Sequence, residues 1–265
     1  MRPFLRYARL LFIFARTCLV RDMEFRGNFW AGVFTNIVWV GAYFVFIKII
    51  YANTQAVGNW TQGQSVLLLG TYALTSGLVN VFFSRNLAEL PTQIRFGNFD
   101  FTVVKPVNSQ FFVSMRYLNY TEVGTLAASI LMIIYGVILA GIKVTFLSVL
   151  EYLILVACGL SIYYSIYLIL MSTAFWFIKV ENLWTLGETV FQVARTPMNI
   201  YGTAAMKVFT YVIPLVFIAH VPAETLIGLE RTYEMLIGLG MTAVFVSVSS
   251  AFWRFATRYY TSASS

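Results

Sequence analysis

The chain has 265 residues, of which 59% are apolar and 11% charged, with a net charge of +7. A soluble domain is about half apolar and about a quarter charged, and a disordered chain carries few aromatics. A chain that is 17% Phe, Trp and Tyr belongs to neither class. At about 20 residues per membrane-spanning helix, six spans use roughly 120 residues and leave too few for a sizeable extramembrane domain. One membrane domain over 1–265 is the expectation.

In residues 3–25, a helix at about 100° per residue gathers Arg2, Arg6, Arg9 and Arg16 in one stripe, with Phe4, Leu10, Leu11 and Phe14 broadly opposite. That predicts an amphipathic helix lying in the membrane interface, opened by Pro3. A signal peptide is not supported, because Arg16 and Arg21 interrupt the apolar run and no small-residue cleavage pattern follows. A first span is expected over 29–51, closed by Lys48, then an uncharged polar loop over 52–63. The second span, 65–83, holds Gly70, Thr75, Ser76 and Gly77, small residues that allow close helix packing. The polar stretch 84–116 follows. Further spans are expected over 120–139, 150–177, 208–221 and 235–255. Residues 179–204, with Glu181, Glu188 and Arg195, are only moderately apolar and are read as cytoplasmic.

Orientation follows from counting basic residues by side. Of the 18 lysines and arginines, all but Lys48, Lys143 and Arg231 fall in the amino-terminal segment, in 84–116, in 179–207 or at and beyond the end of the last span. Both termini are therefore expected in the cytoplasm. The positive charge then records membrane orientation rather than nucleic-acid binding.

No GxxxxGK[ST] phosphate loop occurs, so the chain should not hydrolyse ATP alone. His220 is the sole histidine, which excludes a His-based metal cluster or a Ser-His-Asp triad elsewhere in the chain. Beside Pro222 and Glu224, it reads either as a hydrogen-bonded interfacial residue or as part of a gate. Glu122 and Glu151 lie near span ends and can reach an interface; Glu188 is not placed by the pattern. So few buried acids argue against an ion-driven transporter. Cys18 and Cys158 read as structural thiols, with no disulfide framework.

Within 84–116, residues 86–95 (NLAELPTQIR) read as a short amphipathic helix. Leu87, Leu90 and Ile94 share one face, and Glu89, Gln93 and Arg95 remain on the polar side. Pro91 predicts a kink or a restart, Gly97 a turn, and FDFTVV an extended run stopped by Lys105-Pro106. A surface helix on lipid headgroups and a docking element for a cytoplasmic partner both fit this pattern.

With IRFGNFDFTVVKPVNSQFF after the second span, AFWFIKVENLW after the fourth and VIPLVFIAHVPAETLIG around the fifth, the sequence resembles ABC-2 type transporter permeases. More narrowly, it resembles the bacterial permeases often encoded in pairs beside an ATP-binding subunit. The family's loop motif, approximately I-x-x-G-x-(F/L)-D-x-x-L-x-(K/R)-P, is matched by Ile94, Gly97, Phe99, Asp100, Lys105 and Pro106, with Val103 in the place of Leu. Pro222, Ala223 and Leu226–Gly228 match a second piece.

The resemblance implies an all-α integral membrane protein with six transmembrane helices, an amino-terminal elbow helix and a short cytoplasmic coupling helix. It implies a permease subunit of an ATP-binding-cassette exporter in the bacterial inner membrane, forming half of a dimeric pathway with a like or unlike second permease. ATP and magnesium would bind to the partner ATPase, with no cofactor, metal or catalytic residue on this chain. Besides these subunits the partners would be membrane lipids. Glu89, Gln93, Ile94, Arg95, Gly97, Asp100, Lys105 and Pro106 are then candidates for the coupling interface, and 181–196 for a second cytoplasmic contact. Residues 222–234 are too charged to span and too apolar for a plain loop. They are expected to dip into the outer leaflet, with His220, Pro222, Glu224 and Gly228 as candidates for an outer gate. Two other classes stay open: a non-transporting scaffold or channel subunit, and a lipid-modifying membrane enzyme. The enzyme needs a cluster of reactive polar residues near an interface that the sequence does not show.

Overall fold

A computed structural model describes residues 3–177, 182–228 and 232–260. Among these residues the protein is helical and has no β-strand. Helices α1 (Pro3–Glu24), α2 (Arg26–Ala52) and α3 (Gln62–Val79) follow one another, the turn between α2 and α3 closed by an isolated bridge of Val57 with Trp60. A π-helical turn, Asn80–Ser84, continues α3 into α4 (Arg85–Ala88) and α5 (Leu90–Arg95). Then come α6 (Asp100–Val103), α7 (Ser109–Met115), α8 (Val123–Leu139), α9 (Phe146–Ser172) and α10 (Asn182–Phe191). Helices α11 (Gly202–Tyr211), α12 (His220–Ile227) and α13 (Thr232–Ala256) complete the order.

Among the described residues, five helical segments are long and apolar enough to cross a membrane: Arg26–Ala52, Gln62–Arg95, Tyr120–Leu139, Phe146–Phe175 and Tyr233–Tyr259. They coincide with the expected first, second, third, fourth and last spans. The expected fifth span, 208–221, is not a helix. Proline has no N–H and blocks helix continuation, and the chain breaks at Pro214 between α11 and α12. The preceding segment folds differently from expectation too. Gly187 of α10 packs against the ring of Tyr167 in α9, so α10 lies inside the bundle. Asn199 then reaches the carbonyl of Gly58, at the end of the bundle that carries the α2–α3 turn. Residues 182–201 thus run from the α1 end of the bundle to the opposite end.

The centre is a pairing of α3 with α8. Gly63, Gly70 and Gly77 recur every seven residues, and α8 answers with Gly136. A Cβ on Gly136 would stand 2.6 Å from the Leu67 nitrogen, and one on Gly63 2.6 Å from the Ala140 nitrogen. The backbones touch, as small residues permit in membrane helices. α9 packs on α13, on α12 and on the turn Leu215–Phe217 before α12, where Gly159 meets the Phe217 carbonyl.

Helix α1 lies along 106–120. Tyr7 and Phe14 pack edge-on against Phe111 and Phe112, and the Tyr120 hydroxyl donates to the Ala15 carbonyl at 3.0 Å. Arg6, Arg9 and Arg16 are exposed, as are Phe12, Ile13 and Val20 on a third face. Cys18 and Cys158 are buried and free.

The α3–α8 contact makes a stability prediction. Gly136→Ala should destabilise the protein by about 1–3 kcal/mol, the usual cost of overpacking. Gly240→Ala, on α13 with nothing within 4 Å of its Cβ position, should gain about 0.5–1 kcal/mol from helix propensity. Thermal unfolding of the two purified variants in detergent should therefore shift in opposite directions.

Candidate functional site

Two regions carry chemistry. The first is a helical platform built from 84–116 at the α1 end. Leu87 and Leu90 are fully buried and Ile94 partly so, as the amphipathic pattern requires. The helix interruption falls at Glu89, and Pro91 sits in the first turn of α5, where its missing N–H costs nothing. Asn86, 2% exposed, is pinned three ways: its amide donates to the Phe82 and Tyr117 carbonyls at 2.8 and 2.7 Å, and its carbonyl accepts from the Tyr117 N–H at 2.8 Å.

Beyond Gly97, whose φ of +72° makes the turn, the expected extended run is instead helix α6. The Asp100 N–H donates to the Gly97 carbonyl at 3.2 Å. Phe99 is fully buried and meets Phe175, Trp253 and Tyr260 edge-on, with centroids 4.9–6.1 Å apart. That anchor pulls the segment inward and draws it out of extended form. Asp100 lies beside Tyr260, whose hydroxyl burial and then Asp100 push up to about 12, keeping it protonated.

The sequence-predicted coupling residues divide accordingly. Glu89 pairs with Arg85 at 3.2 Å, a half-exposed pair worth under about 1 kcal/mol. Gln93 accepts the Phe99 N–H on its backbone carbonyl at 3.1 Å. Arg95 lies over the Phe96 ring. Lys105 sits 4.0 Å over Phe112, and burial, with Arg116 nearby, holds its ammonium below the usual lysine value. The Pro106 carbonyl accepts from Arg6 of α1. What the platform leaves bare is apolar: Phe96, Phe101, Val103 and Val104 are 57–80% exposed.

The second region was not legible as a site. A cavity of about 350 Å³ lies between α2, α3, the start of α8 and α10. Glu122, Glu188 and Arg195 line it together with Asn36 and Asn80. Glu188 Oε1 accepts from the hydroxyls of Tyr167 (3.0 Å) and Tyr163 (3.4 Å). Those rings are held by stacking on Trp184 and Phe191. Glu122 Oε2 accepts from Thr125 at 2.7 Å. The Arg195 guanidinium lies 4.3 Å over the Tyr43 ring and 5.4 Å from that of Tyr72, and its Nε is buried without a hydrogen-bond partner. Among the described residues no ion pair within 4.0 Å joins Arg195 to either acid. Of the expected second contact, 181–196, Glu188 and Arg195 stand on the wall of this cavity, and residue 181 lies outside the described residues.

The gate candidates sit at the end opposite α1. His220 is 1% exposed, lies 5.1 Å from the Trp60 ring, accepts the Met198 N–H on Nδ1 at 3.5 Å and places Nε2 3.3 Å from Glu224. Pro222 is buried within α12, which opens two residues earlier, at His220. Gly228, with φ +77°, ends the helix rather than bending it. The latter part of 222–234 includes 229–231, outside the described residues.

Apolar helices around a polar, charge-bearing cavity define a multi-pass membrane protein of the transport class. Residues 37–264 match the model of the ABC-2 family transporter protein family, and the chain belongs to that family. No curated protein matches the chain.

The Phe99 anchor makes the second prediction. Phe99→Ala removes a fully buried ring at about 3–5 kcal/mol, so chymotryptic cleavage at Phe101 in the purified protein should rise at least tenfold. Val104→Ala, at an 80% exposed position, should leave the cleavage rate unchanged.

Proposed function

We propose that the chain is the permease subunit of an ATP-driven exporter, pairing with a second permease in the bacterial inner membrane and driven by a separate ABC ATPase that holds ATP and magnesium. The observation that carries this reading is the family match over 37–264, joined to a rigid platform that presents a bare apolar surface where the basic residues concentrate. A surface of Phe96, Phe101, Val103 and Val104 flanked by Arg95 and Lys105 suits a protein partner, whose hot spots are buried aromatic anchors. In this reading α1 is the elbow helix, and the 86–97 element and α6 together form the coupling surface. The single domain spans 1–265, with both termini in the cytoplasm.

The sixth crossing is made by 182–201 in place of 208–221. Helices α11 and α12 form a re-entrant hairpin at the outer end, and α12 closes the pathway there. Moving Arg195 and Lys207 away from the cytoplasmic side still leaves most basic residues inside. Helix α2, whose Trp30, Phe34, Trp39 and Phe46 are all at least 60% exposed, offers the face for the second permease beside the cavity.

Cysteine labelling tests the crossing, since the two native thiols are buried. Gln62→Cys and Asn199→Cys should react with an impermeant reagent added to intact cells, while Asn108→Cys should not. Labelling of Asn199→Cys only after the cells are opened would restore a cytoplasmic 179–207.

Coupling has its own test. The double variant Phe101→Asp, Val104→Asp should insert normally yet bind the ABC ATPase at least tenfold more weakly, as expected for an interface anchor worth about 2 kcal/mol. Equal recovery of the ATPase with wild type and variant would remove the platform as the docking surface.

A further inference from the structure

The polar cavity adjoins a second one. This neighbour, about 560 Å³, is lined mainly by apolar residues, among them Phe46, Ile47, Ile50, Pro197 and Ile200. The two share the walls Trp39, Tyr43, Leu69 and Arg195. Charge is ordered along them. The acids Glu122 and Glu188 line only the polar cavity, Arg195 stands at the junction, and the apolar cavity holds no other charged residue.

Such an arrangement is costly when empty of a ligand. A buried charge needs a partner, and ionisable groups inside a membrane mark a pathway. Arg195 has two aromatic faces and feels the Tyr72 hydroxyl and, at longer range, Glu188, but its buried Nε has no acceptor. A guanidinium fits a phosphate or carboxylate well. The two acids accept hydrogen bonds and attract a cation. Read from the apolar end, the walls call for an alkyl chain, then an anion, then a cation.

We propose that these cavities bind one amphiphile with a zwitterionic head: an acyl chain in the apolar cavity, a phosphate at Arg195, and an ammonium between Glu122 and Glu188. This names the substrate class of the proposed exporter and rests on that reading for transport, though binding stands on the cavity alone. The order of groups is what selects. An anionic head leaves the two acids without a cation, and a cationic amphiphile without phosphate leaves the Arg195 Nε without an acceptor.

The probe is phosphoethanolamine esterified to a single eight-carbon acyl glycerol, titrated into the purified full-length chain in detergent below the probe's own micelle concentration. The matched phosphoglycerol amphiphile and acyl-free glycerophosphoethanolamine serve as comparators. The zwitterionic amphiphile should bind at least tenfold more tightly than either. Glu188→Gln should abolish the preference over the anionic amphiphile, and Arg195→Gln should weaken both phosphate-bearing amphiphiles at least tenfold; glutamine at 188 can still accept from Tyr163 and Tyr167, which keeps the local fold. Ile200→Trp, at the exposed lip of the apolar cavity, should weaken the acyl probe tenfold and leave the acyl-free one unchanged. Equal binding of the zwitterionic and anionic amphiphiles, or undiminished affinity for both in Arg195→Gln, would overturn the proposal. These titrations need no ATPase, so failure here leaves the permease reading intact, and failure of the ATPase to associate leaves this site intact.

Discussion

Close contact between α3 and α8 is the constraint on which the other positions depend. Lipid tails are as apolar as leucine, so burying apolar surface does not by itself hold two membrane helices together. Backbone approach through small residues does. Gly63, Gly70 and Gly77 return to one side of α3 every second turn, and the facing Gly136 lets the helices meet at backbone distance. A seven-residue repeat drifts only slightly around a straight helix, so the contact extends along the whole pair. Tyr72, Ser76 and Asn80 are thereby turned toward α2 and α10, where they line the polar cavity.

Polar groups elsewhere in the helices are disposed of locally. Thr71, Ser165, Ser172 and Thr225 each donate to the carbonyl four residues earlier, a pattern that satisfies a hydroxyl in a helix without a second chain. Tyr152 adds a hydroxyl contact to Thr71 at 3.2 Å. The cavity breaks this rule. There Glu122 and Glu188 are supported by hydroxyl donors and Arg195 by aromatic faces, with no ion pair within 4.0 Å between them. The contrast separates a wall that lines a cavity from one that faces protein.

Much of the scaffold was legible because apolar length alone defines it. Helices α2, α8, α9 and α13 fall where hydropathy puts them, and the apolar face of Leu87, Leu90 and Ile94 follows from spacing. Three places read wrongly, for separate reasons. The FDFTVV run has β-branched and aromatic residues, yet Phe99 needs a buried slot and Gly97 supplies the left-handed turn that delivers it. Residues 182–201 look too polar to enter a bundle. Glu188 and Arg195 face a cavity, and the aromatic residues Trp184 and Phe191 supply the packing that hydropathy credits only weakly. Pro214 lies within an apolar run long enough to resemble a span, and no window average registers a missing N–H. The cavity itself was illegible because Glu122 lies more than 60 residues before Glu188 and Arg195, and the other walls come from α2 and α3.

One helical rod joins the two regions. From Gln62 to Arg95 the chain is nearly continuous helix, with cavity residues on its first part and platform residues on its last. Between them lies the π-helical turn Asn80–Ser84. A π turn widens the helix and disturbs the regular bonding ladder, and such turns gather at functional sites. Here the Val81 carbonyl accepts instead from the Asn119 N–H, 3.0 Å away at the entry to α8. The rod is therefore tied to its neighbour at the point where it is least regular. The glycine contact holds the rod to α8 on one side of the turn, and the Asn86–Tyr117 bonds hold it on the other. Asn80 lies at the turn and on the cavity wall at once, so the one irregular point of the rod is also part of the polar cavity.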